Sequence, residues 1–274
     1  MPEPKMLQSA EGQIAYEDTG GSGRVVVCVP GMGQLRSIYR FVVPSLKAEG
    51  FRIITMDVRG MGDSSANWRD YSDSAIASDV VTLLEQLHTG PAVIIGNSIS
   101  AGAAVCVSTD HPELVSGLVL VGPSVRKIPT AWWKKLTYKL VLSGPWGLGM
   151  WVNYQSKTLY PSSKPQDIVE YNAALRKNLK EHGRMRGFRR MAGVEDRVAE
   201  SRLGKVRSPT LVVMGGADPD FTDPAAEAKF VAYALRGDLV LLPGLGHYPQ
   251  AEQPQAFLDP VIRFLLRGAL EIGL

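Results

Sequence analysis

Three residues of this chain have the types that nucleophilic acyl transfer needs: Ser98, Asp218 and His247. Ser98 sits in Gly96-Asn97-Ser98-Ile99-Ser100, directly after the apolar run Val93-Ile94-Ile95 and ahead of a helix-like stretch over 101–107. A serine at the apex of a tight strand-turn-helix has its hydroxyl held out at the top of a sheet. Small neighbours are needed where strand and helix approach. Taken alone, the pattern also fits a Gly/Ser turn that merely caps a helix. Asp218 lies in Met214-Gly215-Gly216-Ala217-Asp218, just past Leu211-Val212-Val213. His247 lies in Pro243-Gly244-Leu245-Gly246-His247, just past Leu239-Val240-Leu241-Leu242. Both follow strand-like runs, at the edge where open α/β sheets place their sites. An imidazole can take a serine proton near neutrality, and a carboxylate then fixes its tautomer and stabilises the imidazolium. Activity resting on that base would fall on the acid side near the ordinary histidine range, about 6 to 7. Asp220 is a rival for the acid, two residues further along.

These residues need a sheet to hold them, and the chain supplies one. Residues 14–17 and 24–29 read as strands joined by the turn signal Gly20-Gly21-Ser22-Gly23. Residues 35–48 read as a helix that Pro44 shortens or kinks, and 51–58 as the next strand. Within 72–87, Ile76, Val80, Leu83, Leu84 and Leu87 fall at helical spacing. Strands follow over 114–121, 211–214 and 239–242, with helices over 224–235 and 254–269. Such alternation argues a mostly parallel sheet with helices on both faces. From about Lys127 to Lys205 it stops, for roughly 80 residues, too long for a plain loop. Helical patterns occupy that stretch instead, over 132–142, 165–180 and 187–199.

With these pieces in order, the chain resembles the α/β-hydrolase superfamily over nearly its whole length. The order Ser, Asp, His is that of the family, and G-x-x-D falls on Asp218. Val29-Pro30-Gly31-Met32-Gly33 stands where the family carries its oxyanion loop, with Pro30-Gly31 in place of a frequent His-Gly pair. The resemblance implies the amides of Met32 and Ile99 as oxyanion donors. Asp57-Val58-Arg59-Gly60-Met61-Gly62-Asp63-Ser64 looks like the family's structural strand-4 loop. Ser100 departs from the usual Gly after the elbow and is small enough for the packing. The resemblance also implies the domain division: a hydrolase core over 1–126 and 207–274, interrupted by a helical cap over 127–206.

Four of the five tryptophans, Trp132, Trp133, Trp146 and Trp151, lie in that insertion. They either form its own small core or line an apolar pocket above Ser98. The insertion is also basic, with 16 Lys/Arg against 6 Asp/Glu over 127–205, so the rest of the chain is net negative. Its Arg184-Met185-Arg186-Gly187-Phe188-Arg189-Arg190 cluster reads as a solvated helix face or as a surface that steers anions. No nucleic-acid motif accompanies it.

A length of 274 residues suits one large α/β domain with an insertion. The start lacks a signal-peptide pattern, and no stretch approaches the roughly 20 apolar residues of a membrane span. Cys28 and Cys106 sit in apolar contexts and read as buried thiols. No metal-ligand spacing and no cofactor motif is visible. A cytoplasmic protein acting on a small apolar ester-like substrate is expected, with no nucleic acid, metal or cofactor. Thioesters, lactones and β-diketone C–C bonds are related substrates. A cofactor-free lyase or oxygenase and a small-molecule receptor are other classes this fold supports. Ser98 disfavours dehalogenase or epoxide-hydrolase chemistry, which resemblance associates with an Asp nucleophile.

Overall fold

The structure, a computed structural model, describes residues 3–9, 11–127, 144, 146–194 and 197–270. Eight strands form one sheet: β1 (Lys5–Ser9), β2 (Gly12–Asp18), β3 (Val25–Val29), β4 (Arg52–Met56), β5 (Ala92–Asn97), β6 (Val115–Val121), β7 (Thr210–Gly215) and β8 (Asp238–Leu242). Their order is β1-β2-β4-β3-β5-β6-β7-β8. The first two strands run antiparallel, and every pairing from β4 to β8 is parallel. Parallel strands covered on both faces need continuous apolar runs. β3, β5 and β7 are buried along their whole lengths, which is why their sequences read so plainly.

The helices follow the alternation: α1 (Val43–Ala48), α2 (Asp73–Gln86), α3 (Ile99–Asp110), then α7 (Pro224–Leu235), α8 (Pro249–Glu252) and α9 (Pro254–Leu270). α2 packs on α3, and α1 packs with α9. Between β6 and β7 the described chain forms α4 (Gly147–Thr158), α5 (Ile168–Lys180), α6 (Arg184–Ala192) and a 3-10 stretch, Val198–Lys205. No described helix is long and apolar enough to cross a membrane. Cys28 and Cys106 are free and buried.

One strand goes beyond the expected elements, and two helix expectations are corrected. β1 is an edge strand of mixed exposure, so it carries no apolar alternation to read. The helix over 35–48 breaks into a 3-10 turn (Arg36–Tyr39) and α1. Pro44 does not kink a helix there; it sits at the start of α1, where its missing N–H costs nothing. The helix over 187–199 is two elements, because Gly193 closes α6 and the chain restarts at Val198. The helical pattern over 132–142 lies outside the described residues.

Candidate active site

Ser98 occupies the turn between β5 and α3 with φ 57° and ψ −121°, a left-handed conformation costly for a non-glycine residue. Such strain persists only where the surroundings fix it. Ser98 N–H donates to Val121 O (2.9 Å), and Ser98 O accepts from Ala101 N (3.0 Å) and Ser124 N (3.2 Å). The buried Asn97 amide donates to Val121 O (3.0 Å) and His247 O (3.3 Å), tying the turn to β6 and to the histidine loop.

The loop after β3 lies against this turn. A Cβ built on Gly31 would stand 3.0 Å from Ser98 Cβ. Ser100 Oγ donates to Pro30 O at 2.6 Å, so the serine that replaces the usual glycine pins this loop. Neither Met32 N–H nor Ile99 N–H has a backbone acceptor among the described residues. For Ile99 this follows from its place as the first residue of α3, where amides have no intrahelical partner and the helix dipole favours negative charge.

Asp218 follows β7 and His247 follows β8, and both are buried. His247 Nδ1 and Asp218 Oδ2 are 2.7 Å apart. Gly122, at the end of β6 with φ +50°, is required beside them: a Cβ there would lie 3.1 Å from Nδ1 and 3.2 Å from Asp218 Oδ2. The histidine loop is stitched from two sides. Glu252 accepts from Gly246 N (2.6 Å) and, across the fold, from Ser162 N (2.6 Å). His247 N donates to Leu159 O (3.2 Å). Glu252 therefore joins that loop to the segment between β6 and β7.

Asp220 also reaches the imidazole. Its Oδ2 lies 3.6 Å from Nε2, and its Oδ1 accepts from the Tyr154 hydroxyl at 2.6 Å. The two aspartates are thus neighbours of opposite ring nitrogens, and only Asp218 is within hydrogen-bond reach. Ligand-type atoms of Asp218, Asp220 and His247 lie within 4.8 Å of one another. Within it, Nδ1 is bonded to Asp218 Oδ2 and Asp220 Oδ1 to the Tyr154 hydroxyl.

Burial pushes His247 toward its neutral form. The carboxylates of Asp218 and then Asp220, with the Asp218 hydrogen bond, outweigh this and raise its pKa to about 9. On this geometry the acid limb of kcat/KM against pH is expected nearer 9 than the ordinary 6.5. The sign for stability is the opposite of that for activity. A folded pKa above the unfolded one contributes stability in full below 6.5, and this is lost as pH rises through about 9. Denaturation midpoints at pH 6 to 10 check this part.

The tryptophans divide. Trp151, on α4, is buried: its Nε1 donates to Gly33 O (3.3 Å) and its ring lies 5.0 Å from Phe188. Trp146 is 58% exposed. Trp132 and Trp133 lie outside the described residues. The arginine cluster is not a solvated face throughout. Arg184 is buried, bonded to Ser64 O and Glu181, and Arg190 donates to Trp68 O (3.1 Å). Behind the loop after β3 lies a buried amide chain that sequence reasoning missed. Gln34 Nε2 donates to Gln155 Oε1 (2.7 Å), and the Tyr171 hydroxyl donates to Gln34 Oε1 (2.7 Å). No spacing signal could have found it, since Gln34 is more than 100 residues from each of its two partners. Tyr154 and Asp220 are likewise remote, 66 residues apart.

A model of the alpha/beta hydrolase family matches residues 26–259. The chain is 26% identical to RutD of Rhizobium rhizogenes, named as a proposed carbamate hydrolase, over 88% of this chain and 92% of that one. It is 25% identical to a 2-hydroxy-6-oxononadienedioate/2-hydroxy-6-oxononatrienedioate hydrolase of Burkholderia vietnamiensis, covering 94% and 92%. Among solved structures, a thermophilic esterase from Thermogutta terrifontis superposes with TM-score 0.81 at 24% identity, covering 97% of this chain and 99% of that one.

Proposed function

Because the chain belongs to the alpha/beta hydrolase family, we propose that it is a serine hydrolase that cleaves carboxylic esters through an acyl-enzyme. The observation that carries this is the strained Ser98 turn, with a buried His247–Asp218 pair at 2.7 Å stitched to the same turn through Asn97. Ser98 Oγ attacks the carbonyl carbon, and His247 Nε2 takes the hydroxyl proton. Asp218 holds Nδ1–H and stabilises the imidazolium. The N–H groups of Met32 and Ile99 receive the oxyanion, each such donor being worth about 10² to 10³ in rate. Nε2–H then protonates the leaving alcohol, and water repeats the sequence to release the acid. The balance needs no cofactor. In this reading residues 127–206 are the cap, and the core comprises 1–126 and 207–274.

Steady turnover of a short aryl ester tests the reading and separates an enzyme from a receptor on the same fold. A second reading, hydrolysis of a keto acid, draws on the likeness to the oxononadienedioate hydrolase and on the basic insertion. A panel containing both substrate types distinguishes them by kcat/KM.

Trp151 and Trp146 give opposite expectations. Trp151→Ala removes a buried ring that backs the oxyanion loop. It should cost about 3–5 kcal/mol of stability and lower kcat on every ester. Trp146→Ala should change stability by less than about 0.5 kcal/mol, as exposed positions do. Thermal melts with an ester chain-length series check both.

A further inference from the structure

We infer that Asp220 is a second carboxylate of the site, a positioning residue that holds the Nε2 face of His247 and is itself tethered to the inserted helices by Tyr154. This rests on the reading of Ser98, Asp218 and His247 given above. Nε2 is the ring atom that accepts the serine proton and passes it on, since Nδ1 is taken by Asp218 at 2.7 Å. The side chain that stands at Nε2 is Asp220, with Oδ2 at 3.6 Å. Ser98 Oγ, by contrast, has no hydrogen-bond partner among the described residues.

Asp220 is aimed there from two directions. Its amide donates to Asp218 Oδ1 at 3.0 Å, and its Oδ1 accepts from Tyr154 at 2.6 Å. Asp220 belongs to the core loop after β7, and Tyr154 belongs to α4 of the insertion. The tether therefore crosses from core to insertion and ends 3.6 Å from the reacting nitrogen.

A carboxylate at each ring nitrogen favours the imidazolium. In the free protein this opposes catalysis, because a protonated ring cannot accept the serine proton. Once the proton has moved, the same carboxylate stabilises the charge that forms. The other groups around His247 do not supply this effect. The Tyr248 ring is edge-on at 4.9 Å and the Phe221 ring is at 6.4 Å, both uncharged. Burial raises the Tyr248 phenol, with the nearby Tyr160 phenol adding to it, so both stay neutral. The Glu252 carboxylate is bonded to the Gly246 and Ser162 amides.

The test is an NMR titration of the imidazole resonances, of which the chain has four. His247 is assigned by its loss in His247→Gln. Asp220→Asn, isosteric and uncharged, is expected to lower the His247 midpoint by about one unit or more. Tyr154→Phe should lower it by less, and should do nothing further in the Asp220→Asn background, because its effect runs through Asp220. A purely structural role would move the melting temperature and leave the midpoint alone. An Asp220→Asn midpoint equal to that of the unsubstituted protein overturns the inference. Equal Tyr154→Phe shifts in both backgrounds overturn the tether. The titration needs no substrate, so failure of ester turnover and failure of this inference are read separately.

Discussion

Ser98→Ala is expected to lower kcat for an aryl ester by about 10⁶, the usual loss when the nucleophile of a triad is removed. The size follows from covalent catalysis: without Oγ there is no acyl-enzyme, and His247 has no proton to take. Stability should hardly change. Ser98 Oγ makes no hydrogen bond among the described residues, and alanine keeps the Cβ that the turn already accommodates. Melting curves and single-turnover kinetics check the two halves together. Retention of more than a few per cent of the activity would remove Ser98 from the chemistry.

Asp218→Asn carries the next largest effect, a loss of about 10⁴ in kcat. Asp218 Oδ2 is the partner of Nδ1 at 2.7 Å, in a site where both side chains are buried. An amide there loses the charge that stabilises the imidazolium and can present N–H to Nδ1, which selects the wrong tautomer. Asp220→Asn should cost far less, since Asp220 is partly exposed and 3.6 Å from the other nitrogen. The difference also separates the two aspartates that sequence spacing left in competition. If Asp220→Asn proved the more damaging, the acid would be Asp220.

The parts of this fold that were legible in the sequence are those whose burial is complete. Val25–Val29 and Thr210–Gly215 are buried along their lengths and read as strands at once. Ser72, which caps α2 by accepting from Ala75 N, marks a helix start visible in the sequence. Lys5–Ser9 was not legible, because an edge strand that is mostly exposed leaves no apolar period. In the site, Ser98, Asp218 and His247 were legible because each follows a buried strand. Asn97 belongs to the same legible turn, but its bonds to Val121 O and His247 O were not foreseeable. Tyr154, Gln34 and Gln155 meet their partners only through the packing of the insertion on the core. Local propensity carries no information about such pairs. The elevated His247 pKa belongs to the same class, since it depends on two carboxylates meeting one ring in space.

The central claim is that Ser98 is a nucleophile activated by His247. A fluorophosphonate probe followed by peptide mass spectrometry tests it most directly, because the phosphorus reacts with an activated serine and needs no knowledge of the natural substrate. The expected result is a single modified residue, Ser98, with labelling lost in Ser98→Ala and strongly slowed in His247→Gln. An unlabelled protein, or a label on another serine that persists in Ser98→Ala, would contradict the account.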